Sequence, residues 1–327
     1  MAASAPPIER VGVSPSSDNL RRILSIIGVS LLVIVAFIEI MPFVLTLSNS
    51  FKCDPAVTDR PTAFIPAPPF GVQCETRDAS GVVVSRLTAA EQTEGITFNP
   101  SFNGYSTLLN PTGQQNLPRW AFNTVIYSVA VTILRLLLDS LAGYALARLK
   151  FPGSRAMFFV ILGTLMIPGV VLLIPRFLML NQLDLLNTYH GYFLVLSADA
   201  FGILLMKQFF EGIPGEIEEA AQVDGASRFV TFFRIVLPMA TPALTALTIF
   251  SFQGQWNNFM DALIIVGSDP TMFNLPLGLT QIVGAGQDIQ YDLVLAGSVI
   301  TTMPMAFIFF FFQRYFVEGV SYSGLKG

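Results

Sequence analysis

Six long runs of apolar residues constrain the fold of this chain more than any other feature. They cover residues 23–47, 120–147, 156–180, 190–209, 239–265 and 291–316. A helix of about 20 apolar residues crosses the roughly 30 Å hydrocarbon core of a bilayer, and a helix satisfies its own backbone polar groups there. The runs therefore predict an all-α membrane protein with six transmembrane helices.

The composition agrees with a membrane protein and argues against several other classes. Hydrophobic residues make up 53% of the chain and charged residues 12%, whereas about a quarter of a soluble domain is charged. The net charge of −4 and the lack of a basic cluster argue against nucleic acid as a partner. One histidine, His190, is too few for a histidine-based metal site, so we expect no metal. The run 23–47 is longer than the apolar part of a signal peptide, and we expect it to be retained as a helix.

Basic residues in the short loops predict the orientation of the helices. The short loops 181–189 and 266–290 contain no Lys or Arg, whereas the N-terminal tail and the loops on the other side do. Because Lys and Arg favour the cytoplasmic side, the tails 1–22 and 317–327 are predicted to be cytoplasmic. The segment 48–118 then forms an extended extracytoplasmic loop after the first helix, and residues 119–316 form the membrane core.

The outer loop 48–118 is rich in Pro, Thr, Asn and Gly, and short strands are expected around residues 81–84. It contains both cysteines of the chain, Cys53 and Cys74, in a compartment that permits disulfides. A bridge between them would enclose about 20 residues and stabilise the loop by about 3 kcal/mol. We predict this bridge, and two free thiols are the alternative.

A short charged segment, residues 211–238, separates the fourth and fifth apolar runs and contains a spaced motif. The motif reads Glu219-Ala220-Ala221, three residues, Gly225, nine residues, Ile235, one residue, Leu237-Pro238. Pro214 suits the first turn of a helix, acidic residues are favoured near its start, and Gly225 can end it in a left-handed conformation. The segment therefore predicts a helix of about 11 residues, roughly 16 Å long.

The helical period predicts which residues of this segment lie together. One predicted face contains Ile217, Ala220, Ala221 and Asp224. Two alanines on one face allow another molecule to approach closely. Spacing alone is equally compatible with an ordinary amphipathic helix that packs on its own protein.

The complete motif resembles the coupling signature of the membrane subunits of ATP-binding-cassette importers. From about residue 119 onwards, and in the first helix, the chain is similar to the maltose-type sugar permeases, and the outer loop 48–118 departs from their pattern. The matching stretches are 123–128, 142–153, 166–168, 174–175, 186–188, 210–214, 314–319 and 324–327. The resemblance implies contact with a separate ATPase through Glu216, Glu218, Glu219, Ala220, Ala221, Asp224 and Gly225.

The resemblance also implies the partners, the location and the cargo. The partners would be a second permease in a heterodimer, two ATPase subunits and an extracytoplasmic solute-binding protein, in the plasma (inner) membrane of a bacterium or archaeon. The cargo would be a disaccharide or short oligosaccharide, with glycerol phosphate-type solutes as the alternative. None of the four lysines follows a glycine, so the chain lacks a phosphate-binding P-loop. We expect no cofactor on this chain, with ATP and Mg on the ATPase, and no enzymatic activity.

Polar residues within the apolar runs predict a substrate pathway, because such residues usually face a bundle interior or a wet cavity. The candidates in the fifth run are Gln253, Trp256, Asn257 and Met260, with Asp261 adjoining. An aromatic ring beside two amides suits a sugar, since amides both donate to and accept from hydroxyl groups. The alternative is that these groups bond neighbouring helices.

Four of the other charged residues within the runs can be interpreted from the sequence. Arg135 and Asp139 are four residues apart on one helix and are predicted to neutralise each other. Asp199 has no such local partner and is either a pathway residue or one half of a pair between helices. Arg176 is expected to extend towards the membrane surface.

Two other classes of function explain the sequence less well. A secondary transporter driven by an ion gradient would show inverted repeats with intramembrane carboxylates in matching positions. The sequence shows no such repeat, and this class leaves the spaced motif unexplained. A membrane anchor without transport would leave the spaced motif unexplained.

Overall fold

The structure is a computed structural model that describes residues 15–52, 57, 75–77, 83–86, 102–110, 116–284 and 289–324. Apart from one short hairpin, the regular structure of these residues is helical, which confirms the predicted all-α class.

The first half of the chain contains one long helix, the hairpin and the longest helix of the core. The elements are α1 (Pro15–Asn49), β1 (Glu75–Arg77), β2 (Val83–Arg86), α2 (Asn103–Leu109), α3 (Leu117–Arg148), α4 (Ser154–Thr164) and α5 (Leu173–Gln182). A short 3₁₀ helix, Gly169–Leu172, leads into α5.

The second half consists of shorter helices followed by one long helix. The elements are α6 (Tyr189–Leu196), α7 (Ala200–Gly212), α8 (Gly215–Val223), α9 (Arg228–Thr231), α10 (Leu237–Met239), α11 (Thr241–Trp256), α12 (Met260–Ile265), α13 (Leu275–Gly284) and α14 (Tyr291–Gly324). A π-helical turn, Phe232–Val236, joins α9 to α10, and a 3₁₀ turn, Pro270–Met272, precedes α13.

Three helices in the described part of the chain are long and apolar enough to cross a membrane. They are Arg21–Asn49 of α1, the whole of α3, and Tyr291–Gln313 of α14. Three bent units also pass when their two parts are taken together: α4 with α5, α6 with α7, and α9–α10 with α11, with bends of 101°, 46° and 78°. Length and composition therefore allow up to six spans, in the order of the predicted runs.

The sequence predicts that Pro168 and Pro175 kink the third span, and the sharpest bend lies at one of them. Pro168 lies between α4 and the 3₁₀ helix with an extended ψ of 129°, and proline cannot continue the preceding turn. Pro175 lies in the first turn of α5, where the backbone N–H groups have no partner within the helix. The prediction is therefore confirmed for Pro168 and wrong for Pro175.

The centre of the fold is α3, which packs along α7 and α11. The contact with α7 is close because Gly143 has no side chain. A Cβ atom at Gly143 would lie 2.9 Å from the backbone nitrogen of Lys207 and 3.0 Å from the carbonyl oxygen of Ile203. Glycine at this position therefore sets the distance between the two helices.

Buried side chains form two clusters along α3. The first, which we call the Tyr127 cluster, includes Trp120, Tyr127, Leu180, Tyr192, Trp256 and Leu275. The second, the Tyr144 cluster, lies at the opposite end of α3 and includes Tyr144, Met206, Phe210, Phe232, Val236 and Leu247. The Tyr144 cluster supports the segment with the spaced motif.

The end of α1 is held to α2, which packs on α14. The hydroxyl oxygens of Ser50 and Tyr105 are 2.6 Å apart, and the Phe51 ring stacks on Tyr105 at 5.3 Å between centroids. Burial raises the pKa of Tyr105, and the hydrogen bond with Ser50 acts in the opposite direction. This small aromatic contact therefore joins the start of the outer segment to α2.

A β-hairpin lies within the outer segment, between α1 and α2. β1 and β2 pair antiparallel, with Glu75 opposite Arg86, and β2 overlaps the strand expected around residues 81–84. Cys53 and Cys74 lie outside the described residues, so their bridge stays a prediction.

We predict that Gly143→Ala lowers the free energy of unfolding by about 1–3 kcal/mol, because the added methyl group meets the backbone of α7. Gly254→Ala is the matched control: the glycine lies inside α11, and a Cβ there has open space within 4 Å. Thermal unfolding of the purified variants in detergent measures the difference. Equal stability of Gly143→Ala and the wild type would contradict the proposed close approach of α3 and α7.

Candidate functional site

The spaced motif forms the helix α8 and the turn after it. Pro214 is the N-cap, and the helix covers nine residues, Gly215–Val223, which is shorter than the predicted 11. Gly225 has a φ of +83°, the left-handed conformation that the sequence predicted. The Ser227 hydroxyl then accepts a hydrogen bond from the Val230 N–H and caps α9.

The predicted face of this helix is wrong, because the structure divides its four residues between two sides. Ala221 is buried, and Ile217 packs against the Tyr144 cluster. Ala220 and Asp224 are exposed on the other side. The helical period shows which residues are neighbours on the helix surface. It could not show that the side facing the protein is centred between Glu218 and Ala221.

Of the three glutamates predicted to contact a partner, Glu216 and Glu219 are exposed, but Glu218 is buried at 5% exposure. Its carboxylate accepts a hydrogen bond from the Tyr144 hydroxyl at 2.9 Å and lies 3.0 Å from Nε of Arg148. The role of Glu218 in direct partner contact is therefore a wrong prediction. Sequence reasoning missed Tyr144 and Arg148, although their spacing of four residues at the end of α3 places both on one helix face.

Two large apolar side chains are exposed in this segment, one in α8 and one in α9. Val223 is 88% exposed and Phe229 is 72% exposed. We call the exposed residues Glu216, Glu219, Ala220, Val223, Asp224 and Phe229 the α8 surface. An apolar patch with acidic groups around it is typical of a protein–protein contact.

The π-helical turn fixes the α8 surface to the membrane part of the fold. Phe232 and Val236 of this turn are buried in the Tyr144 cluster. The turn contains Ile235, and Leu237-Pro238 follows directly, so the second half of the motif forms this anchor. Single π-helical turns are rare and often occur at functional sites.

Trp256, predicted to face a substrate, is buried at 4% exposure. Its indole N–H donates to the Thr301 carbonyl oxygen at 3.1 Å, and its ring stacks on Phe252 at 5.7 Å. The prediction that Trp256 lines a pathway is therefore wrong, and its contacts join α11 to α14. The regular spacing from Gln253 to Met260 also fails as a single face, because α11 ends at Trp256 and α12 begins at Met260.

The two amides of that predicted face remain exposed and line a cavity. The cavity has a volume of about 480 Å³ and lies between α1, α11 and α14. Gln253 and Asn257 line it together with Ser298 and Thr302 of α14. Phe43, Met303 and Phe309 belong to the apolar part of the lining. A volume of this size is typical of small-molecule sites.

Asp261 is held by partners from two parts of the chain. The Arg176 guanidinium donates to Oδ1 of Asp261 at 2.6 Å, and the Asn258 amide donates to Oδ2 at 3.1 Å. Arg176 therefore forms an ion pair instead of extending to the membrane surface as predicted. The exposed Met260 precedes this pair at the start of α12.

Asp199 lies at the break between α6 and α7 and has partners on α3. Its Oδ2 is 3.9 Å from Nη1 of Arg135, and its backbone N–H donates to the Asp139 carboxylate at 3.0 Å. Arg135 also donates to the Leu196 carbonyl oxygen at 2.8 Å. Arg135 and Asp139 thus both contact the break, which agrees with a structural role for them, and Arg135 has Asp199 as a further acidic partner. For Asp199, the structure favours the pair between helices over the pathway.

A third polar group, not predicted, joins α3 to the turn before α13. The Asn123 amide donates to the carbonyl oxygens of Thr271 and Phe273 at 2.8 and 2.9 Å. The Tyr127 hydroxyl donates to the Met272 carbonyl oxygen at 2.8 Å. The sequence feature that could have revealed this group is the spacing of four residues between these two polar side chains on an apolar helix.

In the described part of the chain, no three His, Cys, Asp or Glu side chains form a group that could hold a metal ion.

The chain is similar to known transport proteins over most of its length. A family model described as binding-protein-dependent transport system inner membrane component matches residues 139–322. The arabinooligosaccharides transport system permease protein of Halalkalibacterium halodurans is 39% identical over 209 residues, which are 64% of this chain and 74% of that protein. The trehalose/maltose transport system permease protein of Thermococcus litoralis is 28% identical over 313 residues, or 95% of this chain and 99% of that protein.

The fold is also similar to a solved structure. A chain in the crystal structure of a bacterial ABC transporter involved in the import of the acidic polysaccharide alginate superposes with a TM-score of 0.71. The alignment covers 94% of the present chain and 100% of that chain at 23% identity. At this identity the likeness concerns the fold alone.

We predict that Trp256→Ala lowers the free energy of unfolding by about 3–5 kcal/mol, the usual cost of removing a buried tryptophan. Met260→Ala is the control, since Met260 is 51% exposed, and a change of within about 0.5 kcal/mol is expected for it. Unfolding of the purified chain in detergent checks both values. An unchanged stability of Trp256→Ala would restore the pathway interpretation.

Proposed function

The chain belongs to the family of binding-protein-dependent transport system inner membrane components, and we propose that it forms half of the translocation pathway of an ATP-driven sugar importer. The resemblance to maltose-type importer permeases is confirmed, and the relatives are named as transport permeases rather than enzymes. The proposed partners are a second permease, two ATPase subunits and an external solute-binding protein. ATP and Mg bind to the ATPase subunits in this assembly.

The α8 surface is the observation that carries the proposal. It presents Glu219, Ala220 and Val223 on the outside, while the inner side of α8 rests on the Tyr144 cluster. A partner that docks there would bury the apolar side chains of Val223 and Phe229. Basic groups of that partner would be attracted to the acidic residues of the surface. We propose that the ATPase subunit is this partner.

The proposed topology has six spans in an integral inner membrane protein. If each bent unit crosses the bilayer once, α8 follows the fourth span. An even number of crossings places α8 on the same side as the N-terminal tail, and the sixth span returns the C-terminal tail to that side. The distribution of Lys and Arg supports the cytoplasm as this side, with segment 48–118 outside.

The proposed cargo is a disaccharide or short oligosaccharide. The two named relatives transport an arabino-oligosaccharide and a trehalose or maltose sugar according to their names. The cavity of about 480 Å³ offers the amides of Gln253 and Asn257, three hydroxyl groups and aromatic surface. A phosphate ester fits less well, because no Lys or Arg is among the described residues that line this cavity.

We predict that Gly225→Val and Glu219→Lys each abolish sugar-stimulated ATP hydrolysis while the chain still inserts into the membrane. Valine resists the left-handed backbone at Gly225, at a cost of about 1–2 kcal/mol, and lysine reverses the charge of the exposed Glu219. Co-purification of the ATPase and its activity in reconstituted vesicles provide the measurement.

Gly212→Val is the matched control for the glycine variant, because Gly212 ends α7 without a left-handed backbone and a Cβ there has open space. It should retain both ATPase binding and stimulated hydrolysis. Normal transport by Gly225→Val and by Glu219→Lys would exclude the α8 surface as the ATPase contact.

The cavity residues provide a separate prediction. Asn257→Leu should reduce sugar uptake by about tenfold or more, since a hydroxyl group left without a partner costs about 1–3 kcal/mol. Basal ATP hydrolysis should stay at the wild-type rate. Asn181→Leu, an exposed asparagine outside the cavity, is the control. The measurement is uptake of radiolabelled maltose, trehalose and arabinotriose into vesicles, and wild-type rates for Asn257→Leu would remove this cavity from the pathway.

A further inference from the structure

The inner side of α8 contains a charged contact that the α8 surface does not use. Arg148, the last residue of α3, places Nε 3.0 Å from Oε1 of Glu218. Its Nη2 donates to the carbonyl oxygen of Phe210 at 2.6 Å and to that of Ile213. One guanidinium therefore joins the end of α3, the end of α7 and the first half of α8.

A second group of α3 holds the same carboxylate. The Tyr144 hydroxyl donates to Oε2 of Glu218 at 2.9 Å, and the Tyr144 ring packs against Phe232 with 4.8 Å between centroids. Oε2 of Glu218 thus accepts a hydrogen bond from α3, while Oε1 lies against the Arg148 guanidinium as an ion pair without the geometry of a hydrogen bond. Glu218, Tyr144 and Arg148 are together called the Glu218 contact.

Because the Glu218 contact is buried, its groups must keep a fixed geometry relative to each other. The Glu218 side chain is buried and the Arg148 side chain is nearly so, and a buried charge is tolerated only when it is paired and hydrogen-bonded. Charge-assisted hydrogen bonds are stronger and geometrically stricter than apolar contacts. The remaining inner residues of α8, Ile217 and Ala221, offer little surface to resist rotation or sliding of the helix.

We propose that Glu218 is a positioning residue that makes α8 move together with α3 and α7, so that a displacement at the α8 surface reaches the membrane helices. This inference rests on the proposed function, in which an ATPase binds the α8 surface. A helix of nine residues has marginal stability of its own. Without the Glu218 contact, α8 would shift on the Tyr144 cluster, and α3 and α7 would not follow its movement. Glu219, one position further on, contacts the partner, whereas Glu218 transmits the motion.

The test compares Glu218→Gln and Tyr144→Phe in the complete reconstituted transporter. Glutamine keeps the shape of Glu218 and removes its charge, and phenylalanine removes a single hydroxyl group. Two quantities are measured: the amount of ATPase that co-purifies, and the amount of sugar transported per ATP hydrolysed. The probe is whichever of radiolabelled maltose, trehalose and arabinotriose the wild-type complex transports.

Both variants should bind the ATPase as the wild type does, because the α8 surface is unchanged. The sugar transported per ATP should fall by about tenfold in Glu218→Gln, the factor expected for one lost hydrogen bond to a charged group, and by less in Tyr144→Phe. In the double variant the loss should equal that of Glu218→Gln alone, since Tyr144 acts through the carboxylate and the two effects are not additive.

Glu211→Gln is the matched control. Glu211 also forms an ion pair, with Lys207 at 2.6 Å, but this pair is partly exposed and both of its residues lie on α7. This variant should keep the wild-type ratio of sugar to ATP.

Three outcomes would overturn the proposal. They are an unchanged ratio in Glu218→Gln, a loss in the double variant equal to the product of the two single losses, and failure of Tyr144→Phe to bind the ATPase. Failure of the proposed function looks different, because then the wild-type chain itself would bind no ATPase or would lose none of it on Glu219→Lys.

Discussion

The fold depends on one constraint: backbone groups at a break in a membrane-spanning helix need partners, because lipid offers none. Three of the candidate spans are bent or broken, and at one of these breaks, between α6 and α7, polar side chains of the unbroken helix α3 contact the neighbouring backbone. Arg135 and Asp139 bond the backbone on both sides of the break between α6 and α7. Arg148 bonds the carbonyl oxygens at the end of α7, and Asn123 those of the turn before α13. The charged and amide groups of α3 are therefore structural in the first instance.

This arrangement connects the two ends of the molecule through a single helix. Near its start, Asn123 and Tyr127 hold the turn before α13, and at its end Tyr144 and Arg148 hold α8. The close approach at Gly143 keeps α7 in step with α3 over the same half of the helix. A rigid helix with strict contacts at both ends is the kind of element that carries a displacement across a membrane domain. The proposed coupling thus follows from how the broken spans are stabilised, as well as from the α8 surface.

The sequence predicted the features that depend on local chemistry, and it failed where the answer depends on distant partners. Apolar length predicted the candidate spans in their order, and the motif predicted a helix that ends at the left-handed Gly225. The pathway assignment of Trp256 failed because Thr301, which accepts its N–H, is 45 residues away. Arg176 and Asp261 form a pair across 85 residues. Periodicity shows which residues share a face, but it does not show what that face contacts.

Glu218 and Glu219 show what determines whether a polar residue contacts its own protein or stays exposed for a partner. The two residues have the same side chain and the same sequence context, and a helix separates their directions by about 100° because each turn takes 3.6 residues. That rotation brings Glu218 within reach of Arg148 and leaves Glu219 exposed. The same criterion separates the polar residues of the spans: Asp199 and Asp261 have basic partners within the chain, whereas Gln253 and Asn257 line a cavity. Groups whose charge is balanced internally belong to the scaffold, and those that remain exposed are the ones that partners and cargo can use.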